Sequence, residues 1–271
     1  MRQSRIRKTW LAVLSLLIVL LLWQELRPML LPAGPLGALK HYLMLIAQET
    51  ILFGVPALLM RPWQFSDAGS APRWPRGCLW ALPVGIVLAL LLNPVSAVWS
   101  SLMHMAPQET PLPGTALERV LMVMAMVVVP ALMEEAFFRG GVLCGLAQGL
   151  SGQAAFLLTV AIFTLMHGRV VALPAHLVCG ALFTLGMLRY GVLWPGMVMH
   201  AGYNAMTLAL GWFGVTLPWL TLVLTVPAMT AMAAVMLRAT VWRKRGSIHK
   251  MDAALGAATM IVLVIYFIVQ L

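Results

Sequence analysis

Long uncharged apolar runs, separated by short polar or basic stretches, set the pattern of this chain. A bilayer crossing takes about 20 mostly apolar residues in one helix, and such runs recur along the whole sequence. They fall near 10–23, 39–60, 79–99, 116–139, 154–167, 172–190, 192–213, 216–238 and 253–271. The pattern predicts an all-α, polytopic integral membrane helix bundle of about eight transmembrane helices.

Polar interruptions within the runs mark special positions. The basic leader Arg2–Lys8 before the first apolar run resembles a signal peptide, but no small-residue cleavage site follows it, so a retained first span is expected. Gln48, Glu49 and Thr50 break the second run. Glu49 reads either as an acid on a functional pathway or as a carboxylate paired across the bundle or lying near the interface. Asn93-Pro94 predicts a kink whose freed carbonyls Asn or Ser side chains can satisfy. The loop 100–115 carries one acid and no Lys or Arg. The fourth run, from Ala116, ends in Met-Glu-Glu-Ala-Phe-Phe-Arg-Gly at 133–140, with Pro130 four residues before Glu134, where a missing backbone donor bends a helix. Gly140-Gly141 is expected to stop that helix. Residues 141–150 are too short to cross, since ten helical residues reach about 15 Å. They are expected to form a half-span or re-entrant piece, with Ser151-Gly152-Gln153 as its turn.

Composition sharpens the class. The 271 residues are 62% apolar and 10% charged, which excludes an ordinary soluble domain, and there is little chain left for one beside the spans. The formal charge of +10 arises from 18 Lys and Arg against 8 Asp and Glu. The basic residues cluster between spans, at Arg2–Lys8, at Arg61, Arg73 and Arg76, and from Arg238 to Lys250. This distribution orients a membrane protein rather than marking a nucleic-acid surface, and it predicts a cytoplasmic N-terminus and a cytoplasmic 238–250 loop able to touch anionic lipid. Cys78, Cys144 and Cys179 have no paired short spacing and read as small hydrophobes, without a disulfide or zinc-cluster signal. Neither an internal repeat nor a low-complexity tract is present.

Three polar clusters then stand out in apolar helices. On a helix Glu135 and Arg139 lie one turn apart and can pair, while Glu134 points roughly 100° away and is left for another partner. His167 follows Phe163 by one turn. His200 and Asn204 leave one helix face together, and asparagine occurs only twice in the chain. Each cluster alone is compatible with a structural tie, an interhelical hydrogen bond or packing glue. Together, two carboxylates, a guanidinium, two imidazoles and a carboxamide inside one bundle make a hydrolytic site plausible. A desolvated Glu134 can serve as base for an attacking water. His167 can share that water and protonate the leaving amine, and His200 with Asn204 can donate to the tetrahedral oxyanion. Arg139 would hold Glu135.

Glu-Glu-x-x-x-Arg at 134–139, Phe-x-x-x-His at 163–167 and His-x-x-x-Asn at 200–204, in that order on successive apolar helices, resemble the CPBP family of intramembrane proteases. That family comprises the type 2 CAAX prenyl proteases and bacteriocin-processing or immunity-associated bacterial relatives. The resemblance spans roughly 116–211 and divides the chain into N-terminal spans (1–115), a CPBP-like catalytic membrane core (116–211) and C-terminal spans with the basic loop (212–271). It implies a membrane endopeptidase with its site below the cytoplasmic surface, acting on a membrane-associated peptide or protein, in a bacterial cytoplasmic membrane. Carried over residue by residue, Glu134 and His167 activate water, His200 and Asn204 stabilise the oxyanion, and Glu135 and Arg139 support them. A metal-free reaction without cofactor is expected. The alternative is zinc on Glu134, His167 and His200, although no His-Glu-x-x-His helix is present. Two other functions use the same residues: a proton- or cation-coupled transporter relaying through Glu49, Glu134, His167 and His200, against which the lack of repeats counts, and a non-catalytic immunity membrane protein.

Overall fold

A computed structural model describes residues 2–30, 37–60, 78–104, 111–218 and 250–269, with scattered positions between 223 and 234. Eight helices carry nearly all of them: α1 Arg2–Leu30, α2 Ala38–Met60, α3 Cys78–Leu102, α4 Ala116–Leu146, α5 Gly152–Met166, α6 Leu173–Tyr190, α7 Trp194–Trp212 and α8 Lys250–Val269. No strand occurs among the described residues. Six of the helices, α1 to α4, α6 and α8, are long and apolar enough to cross a membrane. Large apolar side chains such as Leu58, Leu59, Leu79 and Leu157 stand exposed on the outside of the bundle, a surface suited to lipid and not to water. The protein is an integral membrane helix bundle. Most of the span expected at 216–238, the basic loop after it, and Arg61, Arg73 and Arg76 lie outside the described residues.

The fourth helix differs from its sequence reading. Gly140 and Gly141 do not end it. The chain continues helically to Leu146, through a π-helical stretch at Ala136–Leu143. Each glycine faces a neighbouring side chain at close range, Leu193 for Gly140 and Met60 for Gly141, so the absent Cβ serves packing and not termination. Consequently 141–150 is not a separate half-span. It is the last turns of α4 followed by a short turn, and Ser151 caps the next helix by accepting from the Ala154 amide at 3.2 Å. The start of α4 is fixed by a capping box between Thr115 and Glu118.

Two further π-helical stretches, Thr50–Gly54 in α2 and Met124–Val128 in α4, flank the polar sites of those helices. Such widened turns are concentrated at functional sites because they re-aim the side chains that follow them. The second of them comes just before Pro130, the residue expected to bend the helix. Within α3, the Asn93 side chain does not repair its own helix; its Oδ1 accepts from the Leu217 amide at 2.7 Å and so anchors the chain leaving α7. The terminal helices clasp each other through Arg7, whose Nε donates to the fully buried Asp252 at 2.9 Å.

Helices α3 and α7 meet backbone to backbone. A methyl at Gly85 would strike the Met199 carbonyl, and one at Gly202 would lie 2.7 Å from the Leu82 carbonyl oxygen. In lipid, helix association relies on such close packing, since burial from water contributes little there. His200 sits between these two contacts, so α3 fixes its height in the bundle. Gly85→Leu is expected to destabilise the folded protein by about 1–3 kcal/mol through overpacking, read as a lowered melting temperature in detergent. An unchanged melting temperature would mean that the two backbones are not in contact.

Candidate active site

Four helices converge on the interior side of α4. Glu135 and Arg139, one turn apart on α4, are fully buried and joined by Arg139 Nη1 to Glu135 Oε1 at 2.8 Å. Two further donors of the guanidinium are used, Nε on Thr184 Oγ1 at 3.2 Å and Nη2 on the Gly180 carbonyl at 3.1 Å. Its flat face lies over the Phe163 ring, with Cζ 4.4 Å from the centroid. A buried charge survives only when it is paired and hydrogen-bonded. The pair is therefore a fixed brace between α4 and α6.

Glu134 turns to a different neighbour, as the helical offset requires. Its Oε2 lies 3.4 Å from His167 Nε2. His167 stands at the C-terminal end of α5, where its Nδ1 donates to the Phe163 carbonyl at 2.6 Å. A carbonyl can only accept, so in the neutral ring the proton is on Nδ1 and the Nε2 lone pair faces the carboxylate. Two acceptors facing each other need a proton or a water between them. The Glu134–His167 gap is thus a place for one exchangeable proton.

His200, on α7, is tied to the brace. Its Nδ1 lies 3.0 Å from Glu135 Oε1, and its ring stacks on Phe183 at 4.8 Å with a 25° tilt. Glu135 thereby orients both Arg139 and His200. Its other oxygen faces Gly196 of α7, where a Cβ would come within 2.9 Å. Asn204 follows one turn after His200 on the same helix, half-buried, and its carboxamide makes no hydrogen bond among the described residues. The structure thus brings Glu134, Glu135, Arg139, His167 and His200 into one cluster, with Asn204 one turn after His200 on α7.

Several contributors were not legible from spacing. His176, on the first turns of α6, stacks on His167 with ring centroids 4.0 Å apart. Phe183 and Thr184 hold His200 and Arg139. Glu49 is not paired with a cation among the described residues. One of its oxygens is buried without a partner, and its carboxylate interacts electrostatically with Glu134, which aligns it with the site and not with the interface. No signal marks His176 beyond its being a second histidine close after the first. Glu49 is flagged only by its apolar surroundings. Among the described residues, no group of three or more His, Cys, Asp or Glu side chains is arranged to hold a metal ion. Cys144 and Cys179 are buried, the first donating its thiol to the Arg139 carbonyl at 3.2 Å. The Cys78 side chain lies outside the description.

The fold and the cluster define a polytopic membrane protein with a buried carboxylate–imidazole centre braced by one arginine. Residues 116–206 match the family model described as Rce1-like, type II CAAX prenyl endopeptidase Rce1-like. That segment holds every residue of the three motifs, and the CPBP resemblance holds over it. The match covers about a third of the chain and is a similarity to that family over this segment. No curated protein and no solved structure matches the chain.

Proposed function

We propose that the protein is a metal-free intramembrane endopeptidase that hydrolyses a peptide bond of a membrane-associated peptide or protein with water activated by Glu134 and His167. One observation carries the reading: Glu134 Oε2 and His167 Nε2 face each other at 3.4 Å while His167 Nδ1 is engaged with the Phe163 carbonyl. In the reaction, a water held at this gap gives a proton to Glu134 as its oxygen attacks the scissile carbonyl carbon. Glu134 passes that proton to the vacant Nε2 of His167. The imidazolium then delivers it to the amide nitrogen as the C–N bond breaks, leaving a carboxylic acid and an amine. His200, held through Nδ1 by the Glu135 carboxylate, donates from Nε2 to the oxyanion when it carries both ring protons, and the Asn204 carboxamide adds a second donor. Glu135 and Arg139 act through position, not contact with substrate.

The proposed reaction runs through these side chains alone, with zinc on Glu134, His167 and His200 as the alternative, and full activity is expected after dialysis of the purified protein against chelator. Activity lost on dialysis and restored by zinc would reverse this assignment. The family match over 116–206 favours hydrolysis over a transporter or an immunity protein acting by binding. The basic leader supports a cytoplasmic N-terminus, and the short, loop-poor layout favours a bacterial cytoplasmic membrane. The reading is tested by comparing membrane proteomes of cells carrying the wild-type or the Glu134→Ala protein at equal abundance. New protein termini confined to wild-type cells are expected, and identical sets of termini would contradict it.

A further inference from the structure

The two site histidines are each laid on another ring, and the two partners differ. His200 rests on Phe183 at 4.8 Å and 25°, an ordinary aromatic support. His167 rests on His176 at 4.0 Å and 36°, the closest ring pair in the cluster. His176 also meets the edge of Phe163 at 6.2 Å and 87°, so the Phe163 ring and the His167 ring bound it on two sides. It makes no hydrogen bond among the described residues, and its Nδ1 is buried without a partner. A histidine retained for hydrogen bonding would have that nitrogen satisfied. What His176 does offer His167 is a ring face.

We propose that His176 is a positioning residue for hydrolysis, whose ring face fixes the plane of His167 and supports the positive charge that His167 carries between receiving and delivering its proton. The inference rests on the hydrolytic reading above. Two features of the site require such a support. The His167 ring is held by Nδ1 on the Phe163 carbonyl and meets the Phe163 ring at 4.5 Å and a 59° tilt, and rotation about the Nδ1 bond would swing Nε2 away from Glu134. In addition, the imidazolium formed during proton transfer meets the Glu134 carboxylate only at its Nε2 edge, which leaves its ring face to a neighbouring ring. A neutral π face against a cation is attractive, by the same physics that sets Arg139 on Phe163. His176 then does for His167 what Phe183 does for His200.

The parallel with Phe183 supplies the test, because a phenyl ring at 176 would keep the face and lose both nitrogens. Wild type, His176→Phe, His176→Leu and Glu134→Gln are reconstituted in liposomes with a membrane-tethered peptide reporter at matched folded amounts, verified by thermal melting. His176→Leu is expected to lower kcat by at least tenfold with KM within twofold of wild type, and His176→Phe to restore kcat to within threefold. A His176→Leu variant that cleaves like wild type overturns the inference, and so does a His176→Phe variant as slow as His176→Leu, which would assign the role to a nitrogen. The two readings fail separately: wild-type cleavage that persists in Glu134→Gln contradicts the hydrolase mechanism, whereas Glu134-dependent cleavage indifferent to residue 176 contradicts only this proposal.

Discussion

Glu134→Gln is expected to lower the rate of substrate cleavage by about 10²–10⁴-fold while leaving the protein folded and its abundance unchanged. Glutamine keeps the size and planar shape of the side chain but can neither take a proton from water nor pass one to His167 across the 3.4 Å gap. KM should change little, because the lost interaction exists only once proton transfer has begun. Stability should also be nearly untouched, since Glu134 is not part of the Glu135–Arg139 brace. The check is a steady-state assay in liposomes together with a thermal melt. Loss of activity accompanied by a large drop in melting temperature would show that Glu134 is structural.

Arg139→Met is expected to have the opposite signature. Removing the guanidinium leaves Glu135 fully buried with only His200 beside it, while Thr184 Oγ1 still donates to the Gly180 carbonyl at 2.6 Å. Breaking a buried ion pair on one side costs about 3–5 kcal/mol, mostly from the charge left without compensation. The variant should therefore melt far below wild type or fail to accumulate in membranes. Because methionine fills similar space over Phe163, the loss reports charge more than volume. The double variant Arg139→Met/Glu135→Leu removes both charges and should recover a measurable part of the melting temperature, though not activity, since His200 loses its anchor. If the double variant is no more stable than Arg139→Met, the charge argument is wrong and the defect lies in packing.

These two expectations separate what the sequence could and could not reveal. The membrane class and the pairing of Glu135 with Arg139 follow from hydropathy and helical periodicity, as does the divergence of Glu134 from that pair. All three hold in the structure. The motif residues on α4, α5 and α7 are brought together by the packing of those helices, which spacing within each helix does not encode. Asn204 shares the His200 face, but its distance from the reacting atoms depends on the inclination of α7, which local spacing does not encode. Gly140-Gly141 misled for a physical reason. Adjacent glycines end helices in water, where they cost about 1 kcal/mol each relative to alanine, but in a tightly packed bundle they admit neighbours such as Met60 and Leu193. His176 and Glu49 were visible as intramembrane polar residues, yet which neighbour each faces is a property of tertiary packing. Nothing within α6 relates His176 to His167 on another helix.

The central claim is that Glu134 and His167 act as one unit on one water. Its most direct test is the double-variant comparison of kcat for Glu134→Gln, His167→Ala and the two combined, in liposomes with a membrane-tethered reporter. Residues that work on a shared proton are expected to give a combined loss no larger than the greater single loss. A combined loss equal to the product of the two single losses would contradict the account, because it would mean that the carboxylate and the imidazole serve separate steps.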